Sequence, residues 1–409
     1  MLTRQITVAI DARLPDQGQG GVLQVLISLS NSLNHVPQED LKKIWIVFEG
    51  TNWWKQIISE DDEIFEVSAP FKGLSLSLFS RFPKLLSRIY PLISRFIPKR
   101  ASLDNYLNSR EVDLVHLPYQ DGLFTNFPFV YNPHDLQHFY FPDFFSKSQI
   151  KHRNRVWRAK CQTASLVFSA SPLVTSDLTK YWEIPQNKIF LVPIPPPRRF
   201  ASEISDPKRF PSEFFLYPAV SWPHKNHKKL LQAWAILKNK GYAIPLVLTG
   251  AETSYTQELY QLVDELELNE LVFFHGHVSN NDLTWLLAKA KVVIVPSLFE
   301  AMSLTVWDAQ FLQTPVMCSN VDPFPLQVAD TAIMFDPHDP LDIANQVMML
   351  WDQPNLQADL ILKANHRIEH LTEQNYGLAM YGAYLTILEM ERSEEINSAV
   401  AKLRHLVTG

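Results

Sequence analysis

The chain has 409 residues, 46% apolar and 20% charged, which is enough for two well-packed domains. Its net charge of -6 gives no global pull toward nucleic acid, so any such patch would have to be local. Cys161 and Cys318 lie far apart with no zinc-type spacing and read as core residues of a reducing compartment, and no apolar run reaches the ~18 residues of a membrane span.

Apolar runs of strand type alternate with longer amphipathic stretches, the signature of a doubly wound α/β chain. Ile6 to Ala12 reads as a first strand and not as a signal sequence, which points to a cytosolic protein or one on the inner face of the membrane. Further strands are expected at Ile44 to Phe48, Val112 to Leu117, Phe127 to Tyr131, Leu166 to Ala170 and Ile189 to Pro193. Six prolines between Pro193 and Ser212 then form a stiff connector that cannot enter a sheet interior. A second series follows at Phe214 to Pro218, Leu246 to Gly250, Val272 to His275, Val292 to Pro296 and Val316 to Ser319, and Tyr376 to Met390 reads as a long helix. The expected division is a first domain over 1-195, a linker over 196-212, a second domain over 213-372, and a helical segment, 373-409, able to pack back on the first domain.

Between Phe71 and Arg100 stand seven Lys or Arg and no acidic residue, interleaved with bulky apolar side chains. That mixture suits a membrane surface, although Pro83, Pro91 and Pro98 break any long amphipathic helix. A domain face packed on the first sheet would also account for it.

The densest chemistry lies in PSLFEAMSLTVWDAQFLQTP, Pro296 to Pro315, which reads as strand end, loop and helix, with Ser303 as N-cap of a helix through Leu312. Unpaired N–H groups at such a helix start favour a diphosphate, with Glu300 before it and Asp308 just over one turn inside. Carboxylates accept hydrogen bonds from vicinal hydroxyls, so the pair fits the two ends of a sugar nucleotide. Without company, both read equally well as solvated charges.

Four other places supply that company. PHKNHKK, Pro223 to Lys229, sets a basic cluster at a helix start, against the dipole preference; Lys228 and Lys229 read as solvated, while His224 and Lys225 could neutralise a diphosphate. Gly20 and Gly21 follow the first strand at a helix start, where backbone can approach a phosphate. His134 and Asp135 end the strand FPFVYN; the i, i+4 pair His134 and His138 raises a zinc helix, which Pro133 and the strand context oppose. HGHVSNND, His275 to Asp282, leaves a strand for a helix capped by Ser279 or Asn280, where backbone could read a base edge.

Taken in this order, the elements resemble the retaining nucleotide-sugar glycosyltransferases of family 4, the group 1 type, over nearly the whole chain. Glu300 matches the first position of that family's E-x7-E motif and Asp308 replaces the second. YPAVSWPHKNH together with HDLQHFYFP resembles a bacterial subgroup of surface-polysaccharide mannosyltransferases. The resemblance implies a GT-B architecture, two Rossmann-like domains facing a central cleft. It implies that Glu300 holds the donor hexose and Asp308 the ribose, with the backbone of Met302, Ser303, Leu304 and Thr305 and the Lys225 side chain on the diphosphate. His277 and Val278 would face the base, Gly20 and Gly21 the phosphate and acceptor, and His134 the transferred sugar. No metal or other cofactor is expected. The donor would be GDP-mannose or a UDP-sugar, the acceptor lipid-linked or a glycan, with no nucleic-acid partner. Departures fall at Ser303 and Gln313, where the family often has glycine, at Asp308, and at Val220 or Ser221, where an arginine is common. They keep open a degenerate nucleotide-binding scaffold at the membrane, beside a sugar-nucleotide epimerase of the same fold.

Overall fold

The computed structural model describes residues 4-15, 20-68, 98-197 and 209-409. Residues 71-97 of the basic apolar stretch and 198-208 of the proline-rich connector lie outside the described residues. The chain forms two compact units: one of Met1–Ala170, Val174–Val192 and Glu373–Leu403, the other of Ser171–Leu173, Pro193–Thr372 and Arg404–Gly409.

The first unit holds strands β1 (Ile6–Asp11), β2 (Leu41–Phe48), β3 (Glu63–Val67), β4 (Leu114–Leu117), β5 (Phe129–Tyr131), β6 (Leu166–Ser169) and β7 (Ile189–Leu191). They form one parallel sheet in the order β3-β2-β1-β4-β5-β6-β7. The second unit holds β8 (Phe215–Pro218), β9 (Leu246–Thr249), β10 (Val272–Phe274), β11 (Val292–Val295), β12 (Val316–Ser319) and β13 (Ile333–Phe335), parallel in the order β10-β9-β8-β11-β12-β13. The expected α/β class with two doubly wound sheets is therefore what the chain forms. β1, β4, β8, β9, β11 and β12 carry apolar side chains on both faces because helices cover both sides of the sheets.

Each sheet has a switch point where the strand order reverses, between β1 and β4 and between β8 and β11, and loops at the carboxyl ends of such strands diverge to leave a crevice. The helices that matter below are α1 (Gly20–Leu33), α2 (His227–Asn239), α3 (Leu304–Phe311), α4 (Phe324–Val328), α5 (Glu373–Ile387) and α6 (Glu394–Thr408). In the first unit, α5 lies so close to α1 that a Cβ built on Gly377 would stand 2.0 Å from the Ser32 carbonyl oxygen. Bulky core residues satisfy their polar atoms locally: buried Trp45 donates to Asp62 at 2.8 Å and buried Trp234 to the Ile244 carbonyl at 2.8 Å.

Candidate functional site

In the second unit, the loops after β8 and β11 meet at the switch point. The loop after β8 makes a 3-10 turn over Pro223–Lys225, passes through Asn226 in the left-handed region (φ 62°), and only then enters α2. Lys225 therefore sits before the helix, not in its first turn as the sequence suggested. Buried Asn226 donates from Nδ2 to the carbonyls of Pro296 (3.0 Å) and Pro337 (2.7 Å), tying three loops together. The Leu298 amide donates to the His224 carbonyl at 2.8 Å, which fixes the two switch-point loops edge to edge.

On this frame Lys225 Nζ lies 2.6 Å from Glu300 Oε1, and the Ser297 hydroxyl donates to the same oxygen at 2.7 Å. Buried Tyr217 supports both loops from below: its hydroxyl donates to the Lys225 carbonyl at 2.9 Å and stands 3.2 Å from Ser297 Oγ. Burial first, and the Glu300 charge second, push the Tyr217 phenol well above its ordinary range, so it stays neutral. An ammonium and a carboxylate are thus fixed side by side with their side chains 21% and 13% exposed, mostly but not wholly withdrawn from solvent.

His224 differs from expectation. Burial, with Lys225 and His227 adding repulsion, pushes its imidazole down to about 3, so it is neutral near pH 7 and can hydrogen-bond a diphosphate but not neutralise one. The cation of this loop nearest Glu300 is Lys225. Lys228 instead pairs at 2.8 Å with Glu258 on the exposed side of α2.

The segment after β11 reaches α3 through Met302 and Ser303. Ser303 is the N-cap residue, as expected, yet its side chain caps nothing. Its backbone is gripped by Gln327 of α4: the Ser303 amide donates to Gln327 Oε1 at 3.0 Å, and Gln327 Nε2 donates to the Ser303 carbonyl at 2.7 Å. The Ser303 amide, expected on the diphosphate, is therefore committed within the protein, which leaves the first-turn amides of Leu304 and Thr305. Asp308 lies on α3 and is only 7% exposed. Gln313 occupies the left-handed conformation (φ 58°) that the helix end requires, without the glycine that usually supplies it.

Ser221 is buried in the loop after β8, and its carbonyl accepts from Thr253 Oγ1 at 2.7 Å. His277 is exposed and Val278 half-buried just before Ser279, whose hydroxyl caps the next helix by accepting from the Asp282 amide at 3.1 Å.

In the first unit, Gly20 opens α1 with φ 43°, and open space lies beside both Gly20 and Gly21. His134 follows β5 with φ 61°, its amide bonded to Asn132 Oδ1 at 2.9 Å and its buried Nε2 without a partner among the described residues. Burial holds its imidazole below the usual range despite the opposing charge of Asp135. His138 sits apart in a 3-10 turn, with Nε2 2.9 Å from Asn154 Oδ1. The two histidines do not share a helix, so the i, i+4 zinc arrangement does not form.

Asn226, Tyr217, Ser297 and Gln327 organise the site without having been singled out in the sequence. Asn226 lies inside the KNH run and Ser297 inside PSLFE, where adjacency to Lys225 and Glu300 was the available signal; nothing local marks Gln327.

Residues 202-367 match the family model of Glycosyl transferases group 1. The O-antigen chain mannosyltransferase B of Escherichia coli is 26% identical over 221 residues, covering 50% of this chain and 56% of that relative. The O-antigen chain mannosyltransferase RfbU of Salmonella typhimurium is 27% identical over 211 residues, again 50% of this chain and 56% of the relative. The chain spans about half the length of the curated relatives it matches. Among solved structures, the sucrose-phosphate synthase of Thermosynechococcus elongatus shares the fold with a TM-score of 0.69 at 18% identity, over 94% of this chain and 100% of that one. The architecture is that of the GT-B class, and residues 202-367 form a domain of the Glycosyl transferases group 1 type.

Proposed function

We propose that the protein is a retaining, metal-independent glycosyltransferase that moves a hexose, mannose favoured, from a nucleoside diphosphate sugar to a hydroxyl of a lipid-linked or glycan acceptor. The observation that carries this reading is the Lys225–Glu300 pair at the switch point of the second sheet, 2.6 Å apart and partly exposed. Lys225 would turn toward the diphosphate and, with the amides of Leu304 and Thr305 at the positive end of α3, stabilise charge as the sugar–phosphate bond breaks. Glu300 would accept hydrogen bonds from the hexose hydroxyls. The acceptor oxygen would bond to the anomeric carbon on the face the diphosphate leaves, while the departing phosphate oxygen takes the hydroxyl proton. Met302, His277 and Val278 would lie along the nucleotide, with Ser221 and His224 lining its phosphate side and Asp308 its ribose. For the first unit, Gly20 and Gly21 are proposed to approach the phosphate and the acceptor, and His134 to contact the transferred sugar.

The mannosyltransferases among the relatives support the choice of sugar. Among the described residues no helix is long and apolar enough to cross a membrane, and contact with the inner membrane surface through residues 71-100 is part of the proposal. The test is transfer of radiolabelled mannose from GDP-mannose to a lipid-linked acceptor by purified protein, with Glu300→Ala as control. Full activity in that variant would sink the reading.

A second reading, a nucleotide-binding scaffold without turnover, draws on buried Asp308 and the occupied Ser303 amide. Nucleotide binding with neither donor hydrolysis nor transfer would favour it.

A further inference from the structure

Ser297, in the loop after β11, is wholly buried at 0% exposure. Both of its chain neighbours are pinned by the loop after β8: Asn226 Nδ2 donates to the Pro296 carbonyl at 3.0 Å, and the Leu298 amide donates to the His224 carbonyl at 2.8 Å. Its hydroxyl is therefore a fixed point between two partners, the Tyr217 phenol oxygen at 3.2 Å and Glu300 Oε1 at 2.7 Å.

The proton count fixes which way that hydroxyl points. Tyr217 and Ser297 bring one proton each to three contacts: phenol to the Lys225 carbonyl at 2.9 Å, phenol to Ser297 Oγ, and Ser297 Oγ to Glu300. A carbonyl and a carboxylate only accept, so each takes one proton, and the Tyr217–Ser297 contact, the longest of the three, is left without one. Ser297 thus donates to the carboxylate, the stronger kind of bond.

Glu300 is loaded on one oxygen. Lys225 Nζ, at 2.6 Å, and Ser297 Oγ both reach Oε1, and among the described residues Oε2 receives no hydrogen bond. The two donors differ in permanence. Lys225 carries its ammonium on a flexible stem that is 21% exposed and can swing, whereas Ser297 is short and sits between pinned neighbours.

We propose that Ser297 is a positioning residue for Glu300: it keeps Oε1 anchored when Lys225 leaves for the diphosphate, so that Oε2 stays turned to the hexose. The inference rests on the transferase reading above, in which Lys225 and Glu300 separate once a donor is bound. Without Ser297 the carboxylate would lose its last hold when the sugar arrives, and ordering it anew would cost rotamer freedom.

The test is calorimetric titration of the whole chain with GDP-mannose against GDP, and UDP-glucose against UDP, for the parent, Ser297→Ala, Glu300→Ala and the double variant. Within the pair that the parent binds, the ratio of the two dissociation constants separates contacts to the hexose from contacts to the diphosphate and base. Ser297→Ala removes one oxygen and leaves Tyr217 on the Lys225 carbonyl and Lys225 on Oε1, so affinity for the bare diphosphate should not change. Affinity for the sugar nucleotide should fall about tenfold, the scale of one hydrogen bond to a charged group. The ratio holds even where the variant melts lower, because instability weakens both ligands alike. In the Glu300→Ala background the same substitution should add no further loss. An undiminished sugar-nucleotide affinity, equal losses for both members of the pair, or a further loss on top of Glu300→Ala would each overturn the positioning role and leave the transferase reading standing. A parent that binds neither pair, or a Glu300→Ala variant with an unchanged ratio, would overturn both.

Discussion

Lys225 and Glu300 come from loops 75 residues apart in sequence, and their charged atoms stand 2.6 Å apart, with the Ser297 hydroxyl donating to the same carboxylate oxygen at 2.7 Å. The distance is set by backbone: the Leu298 amide on the His224 carbonyl, and Asn226 bonded to the Pro296 carbonyl. Replacing Lys225 by Met keeps the stem and removes the ammonium. The expected outcome is a drop in kcat of about 10²–10³, the scale of losing one preorganised charge stabiliser, with the melting temperature little changed. Steady-state kinetics beside a thermal melt would separate this from misfolding, and a change confined to KM would argue for ground-state binding alone.

Gln327 spends both ends of its amide on the backbone of Ser303. Gln327→Leu fills similar volume but leaves a buried N–H and a buried C=O unpaired. The expected loss is about 2–4 kcal/mol in a denaturant unfolding experiment. Since α3 starts at the next residue, donor affinity should fall together with stability. A variant as stable as the parent would show that Ser303 finds other partners when released.

That clamp also marks where sequence reading stops. Eleven of the strands were legible as short β-branched runs because parallel strands buried on both faces carry no polar alternation. β3, EIFEV, was missed because it lies at a sheet edge with half-exposed Glu63 and exposed Glu66 breaking the apolar run, and β13 because three residues at the other sheet's edge leave little pattern. Glu300 and Lys225 were legible from their places at strand ends. The left-handed Asn226, which delays α2 until His227, was not, since a helix pattern continues smoothly through the KNH run. Nor could the neutral state of His224, which follows from burial, or the occupation of the Ser303 amide by a side chain 24 residues away.

Gly377 tests the packing of the first unit. Its missing side chain admits the Ser32 carbonyl oxygen, which a Cβ would meet at 2.0 Å, so Gly377→Ala forces two helix backbones apart. Gly382, on the same helix, is also close-packed, but there a Cβ would meet Ile396 Cγ2 of α6 at 2.4 Å, a side-chain methyl that can rotate or shift. Both substitutions gain helix propensity, about 1 kcal/mol from glycine to alanine. Gly377→Ala should nevertheless cost about 3 kcal/mol or more, and Gly382→Ala clearly less. Chemical denaturation of the two variants side by side checks the ranking, and the reverse order would mean that α5 can slide on α1.

Acid should unfold the protein through its buried histidines. His116, His224 and His227 all have imidazoles pushed down to about 3, chiefly by burial. An unfolded chain takes up these protons near pH 6.5, whereas the folded chain resists until about 3, so between those limits the unfolded state holds more protons and stability rises with pH. The contribution is full above 6.5 and is lost as pH falls toward 3, at about 1.4 kcal/mol per pH unit for each fully shifted group. His116 isolates one of the three: it is 2% exposed, its Nδ1 lies 2.7 Å from the Tyr384 hydroxyl, and it is remote in sequence from the Lys225 loop. His116→Gln keeps a polar partner for Tyr384 and removes the titration. Urea unfolding at pH 7, 5.5 and 4.5 should show a slope shallower by close to one proton in this variant than in the parent. Parallel curves for His116→Gln and the parent would mean that His116 accepts a proton in the folded state at ordinary acid pH.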